Sequence, residues 1–252
     1  MNPTQTPERA TPRVALVTGG SRGIGAAIAR RLAQDGYAVA INYASSATHA
    51  DALVQEIQQA GGRALAVQAD VARADQVRAM FDKVQTELGQ LHALVNCAGV
   101  LRVQPLAETS DEAYDQTFDI NTRGTFNTLR EAATRLADGG CIVNVSSTTV
   151  ATNLPGYAIY IASKAAVESL TRVFSKELRG RRITVNAVAP GPVATELFLK
   201  GKSPELIEHF AKMPPLERLG EPEDISGIVS FLAGPDSGWI NGQVLRANGG
   251  LA

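Results

Sequence analysis

Cysteine is nearly absent: Cys97 and Cys141 are the only two in 252 residues, and both fall within apolar runs. Two thiols cannot build the disulfide framework of a small secreted protein, so they read as free thiols in a reducing compartment. A charge excess is missing too. Lys plus Arg number 24 against 25 Asp plus Glu, a net charge of −1, which argues against nucleic-acid binding or an electrostatic membrane anchor as the main function. No stretch approaches the roughly 18 apolar residues of a membrane span. His49, His92 and His209 are scattered without metal-ligand spacing, so surface or packing roles are expected of them, and no metal. The polar start, Met1 to Pro12, carries three prolines and lacks the apolar stretch of a secretory signal. It reads as a loose tail on a cytoplasmic protein.

What is present is an alternation. Short aliphatic runs at Arg13 to Thr18, Ala38 to Tyr43, Ala64 to Gln68, Ala93 to Asn96, Cys141 to Ser146 and Ile183 to Ala189 are separated by longer helical patterns at Ile24 to Gln34, Thr48 to Ala60, Ala74 to Leu88, Ser110 to Leu136 and Tyr157 to Leu178. This is the βαβ rhythm of a parallel sheet covered on both faces. Gly36, Gly61 and Gly89 follow helical patterns, where a left-handed cap favours glycine. A last short strand is expected near Gln243 to Arg246, after the turn signal Asn241-Gly242. With no repeat and no linker, residues 13–252 read as one doubly wound α/β domain. Thr195 to Pro215 mixes Leu197, Phe198, Leu199, Phe210 and Met213 with Lys200, Lys202 and Lys212, a segment suited to fold over a pocket.

The first strand runs into Thr18-Gly19-Gly20-Ser21-Arg22-Gly23-Ile24-Gly25 and then into a helix. A glycine-rich turn at a helix N-terminus offers exposed N–H groups and the positive end of the dipole, which suits a pyrophosphate. Gly19 permits the turn, Gly23 lets the backbone approach a ligand, and Gly25 allows close helix-to-strand packing. The bland alternative, a turn with no ligand, is disfavoured by the strand before it and the helix after it. NAD-binding folds usually carry an acidic residue at the end of the second strand. Here Asn42-Tyr43-Ala44-Ser45-Ser46 offers no carboxylate to repel a 2′-phosphate. Arg22 either binds that phosphate with its planar fork or is a solvated loop charge; the first reading predicts NADP(H) over NAD(H).

Tyr160 and Lys164 stand four residues apart, so on a helix they share a face. No other tyrosine in the chain has a lysine four positions on. A free phenol ionises near pH 10, too high for proton transfer near neutrality. An ammonium at ~4 Å would lower that by roughly three units at an effective dielectric of 20. The alternative is a helix-surface tyrosine beside a snorkelling lysine. The fifth strand ends in Ser146 and Ser147, where α/β sheets place ligands. One of them is placed to stabilise a developing alkoxide, unless both only form the turn.

Together these residues resemble the short-chain dehydrogenase/reductase superfamily from Arg13 to Gly250. The shared motifs are the Thr18-to-Gly25 turn, Asp70, Asn96-Cys97-Ala98-Gly99, Asn121, Ser147, Tyr160 with Lys164, and Pro190-Gly191. Within it the chain is similar to the bacterial 3-oxoacyl-[acyl-carrier-protein] reductases and NADPH-dependent ketoreductases. The resemblance implies a seven-stranded parallel sheet and commonly a homotetramer, packed through the fifth and sixth helices and the C-terminal end. It implies that Ser147 polarises the carbonyl, that Tyr160 donates the proton, and that Lys164 tunes Tyr160 and holds the nicotinamide ribose. Asn121 is similar to the family asparagine that anchors a water-linked proton relay. Asp70 and Val71 match positions beside the adenine; Asn96, Ala98 and Gly99 match the turn lining the cofactor; Val193 and Thr195 match the segment contacting the nicotinamide carboxamide.

Two departures stand out. Cys97 occupies a position where the family more often has asparagine, and Asn248 one where aspartate is frequent and a subunit contact is implied. The expected reaction is reduction of a ketone or 3-oxoacyl carbonyl to a secondary alcohol. An NAD-dependent alcohol or sugar dehydrogenase and a catalytically silent nucleotide-binding scaffold are the alternatives. Leu101, Val103, Leu154 and Tyr157, with the Thr195-to-Pro215 segment, favour a small-molecule or acyl thioester substrate with an apolar portion. The three lysines of that segment either face solvent or attract an acidic carrier.

Overall fold

The first strand, β1 (Val14–Thr18), divides its side chains by parity: Val14 and Leu16 enter one core, Ala15 and Val17 another. A strand with no polar face requires cover on both sides of its sheet. The computed structural model describes residues 12–252; apart from Pro12, the expected N-terminal tail lies outside them. The further strands are β2 (Ala38–Tyr43), β3 (Arg63–Gln68), β4 (Leu91–Asn96), β5 (Leu136–Val145), β6 (Thr184–Pro190) and β7 (Val244–Ala247). They form one seven-stranded sheet in the order β3-β2-β1-β4-β5-β6-β7, with every pairing parallel. This is the doubly wound fold that the sequence leads one to expect.

The helices are α1 (Gly23–Gln34), α2 (Ala47–Gln59), α3 (Ala74–Glu87), α4 (Asp111–Phe118), α5 (Gly124–Arg135), α6 (Thr149–Thr152), α7 (Ala158–Glu177), α8 (Glu196–Leu199), α9 (Pro204–Lys212) and α10 (Pro222–Ala233). On one face Ile28 and Leu32 of α1, Leu53 and Ile57 of α2, and Val229 and Leu232 of α10 pack on the sheet. On the other, Val77, Met80, Phe81 and Val84 of α3 join Leu129 and Ala132 of α5. Full burial of one such leucine contributes about 1.5–3 kcal/mol. The glycines expected beyond helix ends have positive φ: Gly36 at 92°, Gly61 at 84° and Gly89 at 104°.

Two expectations need correction. The helical pattern from Ser110 to Leu136 is helical but not uniformly α: a π-helical turn over Asp119–Arg123 lies between α4 and α5. The fifth strand begins at Leu136 rather than Cys141. Within it Gly139 takes a φ of 75°, a turn conformation in the middle of the stretch. Arg181 nevertheless fixes the stretch, donating to Asp138 at 2.8 Å and to the Ala133 and Leu136 carbonyls.

Between β1 and β4 the direction of winding reverses, so their outgoing loops part and leave a crevice at the strand C-terminal ends. Most of the residues singled out by sequence converge there.

Candidate active site

A cavity of about 520 Å³ occupies the crevice, within the range of small-molecule sites. Its floor at one end is the glycine turn. Gly19 has a φ of 60°, and a Cβ added there would stand 2.7 Å from the Ala98 Cα; one on Gly25 would stand 2.2 Å from the Gly19 carbonyl oxygen. No side chain caps α1, and the first N–H groups of any helix lack intrahelical acceptors. The turn is thus a close-packed backbone cradle with donors at its mouth.

Neighbouring strands pin this cradle. The Gly19 N–H donates to Asn42 Oδ1 at 3.3 Å, and the Gly20 N–H to the Asn42 carbonyl at 2.9 Å. Asn42 Nδ2 donates onward to the Ala69 carbonyl at 3.0 Å. Thr18 Oγ1 accepts the N–H groups of Cys97 and Ala98 at 3.1 and 3.2 Å. Asn42 borders the cavity, but its amide is spent holding the turn, so its part is to shape the cradle. Tyr43, Ala44 and Ser45 continue that wall, and Asp70 and Val71 stand beside it. Asp70 Oδ1 accepts the Ala72 N–H at 3.0 Å, which fixes the turn after β3.

At the other end stand Ser147, Tyr160 and Lys164. Ser147 is on the loop leaving β5, and Tyr160 and Lys164 are on α7. The residues alone left two serines open, with Ser147 implied only by the resemblance, and the hydrogen bonds distinguish them. Ser146 Oγ donates to Glu168 at 2.8 Å, whereas Ser147 Oγ accepts both the Thr149 N–H at 3.2 Å and the Thr149 hydroxyl at 2.9 Å. With two bonds accepted, the Ser147 hydroxyl keeps its own proton to donate, and it stands within hydrogen-bonding reach of the Tyr160 phenol. Thr149 was not foreseen; the only sequence signal is the hydroxyl run Ser147-Thr148-Thr149.

Lys164 does not act on Tyr160 as the four-residue spacing leads one to expect. Its ammonium donates to the Val145 carbonyl at 2.8 Å and stands 5.9 Å from the centre of the Tyr160 ring. Burial pushes the Tyr160 phenol up to about 12, although the Ser147 hydroxyl pulls it down. Burial also pushes the Lys164 ammonium down to about 8. The correction follows from reach: a shared helix face does not fix where a four-carbon stem ends.

Asn121 and Asn96 do not line the cavity. Held in the π-helical turn, Asn121 accepts the Val100 N–H at 2.8 Å and donates to the Val100 carbonyl and to Ser163 Oγ, each at 3.0 Å. Its backbone carbonyl accepts the Thr125 hydroxyl at 2.9 Å. Asn96 is buried, donating to Asn144 at 2.8 Å and accepting from Thr128 at 2.7 Å. Both asparagines support the walls from behind. Cys97 lines the cavity, and burial pushes its thiol up to about 11 against the pull of Lys164.

The remaining wall is largely apolar. Leu101, Leu154, Tyr157, Leu197, Phe198, Phe210 and Met213 contribute, with Phe198 and Phe210 edge-to-face at 5.3 Å. Pro190, Gly191, Val193 and Thr195 close the side beyond β6. Val103 is exposed and lies outside the lining. Of the lysines in this segment, Lys212 pairs with Glu208 at 2.6 Å, and Lys202 folds over the Phe198 ring at 4.4 Å. Lys200 alone faces the cavity.

A family model described as enoyl-(acyl carrier protein) reductase matches residues 19–252. An NADPH-dependent aldehyde reductase-like chloroplastic protein of Arabidopsis thaliana is 45% identical over 260 residues, covering 98% of this chain and 96% of that one. The chain belongs to the short-chain dehydrogenase/reductase superfamily of oxidoreductases. A 3-oxoacyl-[acyl-carrier-protein] reductase of Staphylococcus aureus is 43% identical over 239 residues, covering 94% of this chain and 97% of its own. A solved short-chain dehydrogenase from Burkholderia cenocepacia J2315, in complex with NADP, superposes with a TM-score of 0.90 at 39% identity, covering 97% of this chain and 99% of that one.

Of the two departures from the superfamily pattern, Asn248 is engaged within its own chain. It donates to Thr148 Oγ1 at 3.1 Å and accepts the Gly250 N–H at 3.0 Å, tying the end of β7 to the loop that carries Ser147. His92 has a packing role, accepting the Val14 N–H at 3.1 Å. Among the described residues, no helix is long and apolar enough to cross a membrane.

Proposed function

We propose that this oxidoreductase uses NADP(H) to reduce a ketone or 3-oxoacyl carbonyl to a secondary alcohol. The observation that carries the reading is a single cavity bounded at one end by a glycine cradle with Arg22 and no β2 carboxylate, and at the other by Ser147, Tyr160 and Lys164. The residues fit a dinucleotide. A side chain at Gly19 or Gly25 would collide with backbone, so only glycine allows the close packing that sets the turn's N–H donors at the cavity, where a pyrophosphate would be held. The names of the Arabidopsis and Burkholderia relatives support the 2′-phosphorylated form, and the Staphylococcus relative supports a 3-oxoacyl substrate.

In this reading Gly19, Ser21, Gly23, Ile24 and Gly25 hold the pyrophosphate, and Arg22 takes the 2′-phosphate. Tyr43, Ala44, Ser45, Asp70 and Val71 enclose the adenosine. Ala98, Gly99, Pro190, Gly191, Val193 and Thr195 line the nicotinamide end, and Lys164 holds its ribose. The bound cofactor supplies a hydride. Ser147 donates to the substrate oxygen and Tyr160 gives it a proton, so that as the carbonyl carbon gains hydride the C=O double bond becomes the C–OH of an alcohol. Asn121 keeps Val100 and Ser163 in place around Lys164. The wall of Leu101, Leu154, Phe198, Phe210 and Met213 selects the apolar part of the substrate, with Thr195 to Pro215 acting as its lid.

The free thiols fit a reducing, cytoplasmic setting. A homotetramer, as the resemblance implies, is supported by exposed Phe126 on α5 and Val173 on α7, the next long helix in chain order, and light scattering tests it. The function is tested by oxidation of NADPH, and separately of NADH, with a panel of 3-oxoacyl thioesters, β-ketoesters, quinones and simple ketones. Turnover of a 3-oxoacyl thioester or β-ketoester with NADPH is expected. Faster turnover with NADH, or none with any carbonyl, removes the proposal.

A further inference from the structure

Arg22 is already engaged. Its Nη1 donates to Oε2 of Glu196 at 2.9 Å, joining the glycine turn to the first residue of α8 across 174 positions of sequence. The backbones behind the pair also approach closely: a Cβ on Gly23 would stand 3.3 Å from Thr195 Cγ2. Both partners line the cavity, and both are open to solvent, Arg22 at 50% and Glu196 at 69% of the side chain. A pair this exposed contributes little to folding stability. Its position matters more than its strength. The other cations lining the cavity are Lys164, buried against Val145, and Lys200 on the lid.

We infer that Glu196 is a built-in competitor for Arg22 that sets how strongly the site prefers a phosphorylated dinucleotide over the unphosphorylated one. The inference rests on the proposed role of Arg22 as the 2′-phosphate ligand. A guanidinium carries five N–H donors, and carboxylate and phosphate both match its planar fork; Glu196 takes one of them, through Nη1. A 2′-phosphate therefore either shares the guanidinium with Glu196, whose carboxylate repels it at short range, or displaces that carboxylate. A dinucleotide with a plain 2′-hydroxyl leaves the pair intact and meets neither cost. Selectivity is the difference between the attraction of Arg22 and the opposition of Glu196.

The test is a fluorescence titration of the full chain with NADPH and with NADH at low ionic strength, for the parent, Glu196→Gln, Arg22→Ala and the double variant. Glu196→Gln is expected to bind NADPH about threefold more tightly with NADH unchanged, and the gain is expected to vanish in the Arg22→Ala background. Arg22→Ala alone is expected to weaken NADPH by about tenfold and to spare NADH. If Arg22→Ala leaves the preference between the two dinucleotides unaltered, the phosphate assignment fails and the competition falls with it. If Arg22→Ala behaves as expected but Glu196→Gln gains nothing for NADPH, gains equally for NADH, or keeps its gain without Arg22, the competition alone is overturned. Melting curves for all four proteins show that affinity changes are read on folded chains.

Discussion

Lys164 is anchored to Val145, its ammonium donating to that carbonyl at 2.8 Å, and it lies 5.9 Å from the centre of the Tyr160 ring. In the cofactor-free protein, burial rather than the lysine governs the phenol, which is pushed up to about 12. A spectrophotometric titration of the parent minus Tyr160→Phe is expected to show no phenolate from Tyr160 below pH ~10, the range of free tyrosine. A phenolate forming near neutral pH would return the control of Tyr160 to Lys164.

Lys164 also makes a stability prediction. Its folded-state value, about 8, lies below its ordinary 10.5, so between those values the unfolded chain binds more protons. Stability from this group therefore rises with pH through that window, and the burial penalty is full below it. Lys164→Met removes the buried charge but orphans the Val145 carbonyl. The expected net at pH 7 is a gain of ~1 kcal/mol, shrinking toward pH 10, together with loss of turnover. Thermal melts across that range check it, and a variant melting below the parent at pH 7 contradicts it.

Ser146 and Ser147 should separate cleanly. Ser147→Ala is expected to lower kcat by roughly 10²–10³, the cost of removing one donor to a developing oxyanion. Ser146→Ala loses only a bond to Glu168 and is expected to keep kcat within about threefold and lower stability by about 1 kcal/mol. Steady-state kinetics on the best carbonyl substrate decide; equal losses in both variants would put the discrimination elsewhere.

Tyr160→Phe keeps the ring and removes only the proton. Dinucleotide affinity is expected to hold while kcat falls by about 10²–10⁴. Full activity in this variant would end the role of Tyr160 as acid.

Gly25→Ala places a methyl group 2.2 Å from the Gly19 carbonyl oxygen. Backbone has to shift, at about 3 kcal/mol, so the variant is expected to melt lower and to bind neither dinucleotide. Parent-like melting and binding would mean that the turn is looser than the close approach indicates.

The sheet was legible because β1, β2, β4 and β6 are apolar on both faces, a pattern that admits little else. The π-helical turn at Asp119–Arg123 was not. Its residues fit a continuous helical pattern, and what breaks that helix is tertiary: Asn121 satisfies both Val100 backbone groups and Ser163. Leu136 to Gly140 was hidden for a similar reason, its fixation coming from Arg181, more than 40 residues downstream. At the site, residue types and their spacing pointed to Tyr160, Lys164 and one of two serines, and the resemblance to the superfamily implied Ser147. They did not show which bonds those side chains already make, and those bonds distinguish the two serines and place the lysine on Val145 instead of the phenol.

Because β1 lies beside β4 rather than beside β3, the crevice is assembled from stretches far apart on the polypeptide. During synthesis β1, α1 and β2 emerge first, yet the opposite wall is missing until β4 docks, and Ser147 and Tyr160 follow later still. Non-local pairing of this kind is slow to nucleate. The complete crevice therefore exists only after β4 and the later strands have docked, so a ligand that spans it holds together stretches the chain supplies at widely separated times.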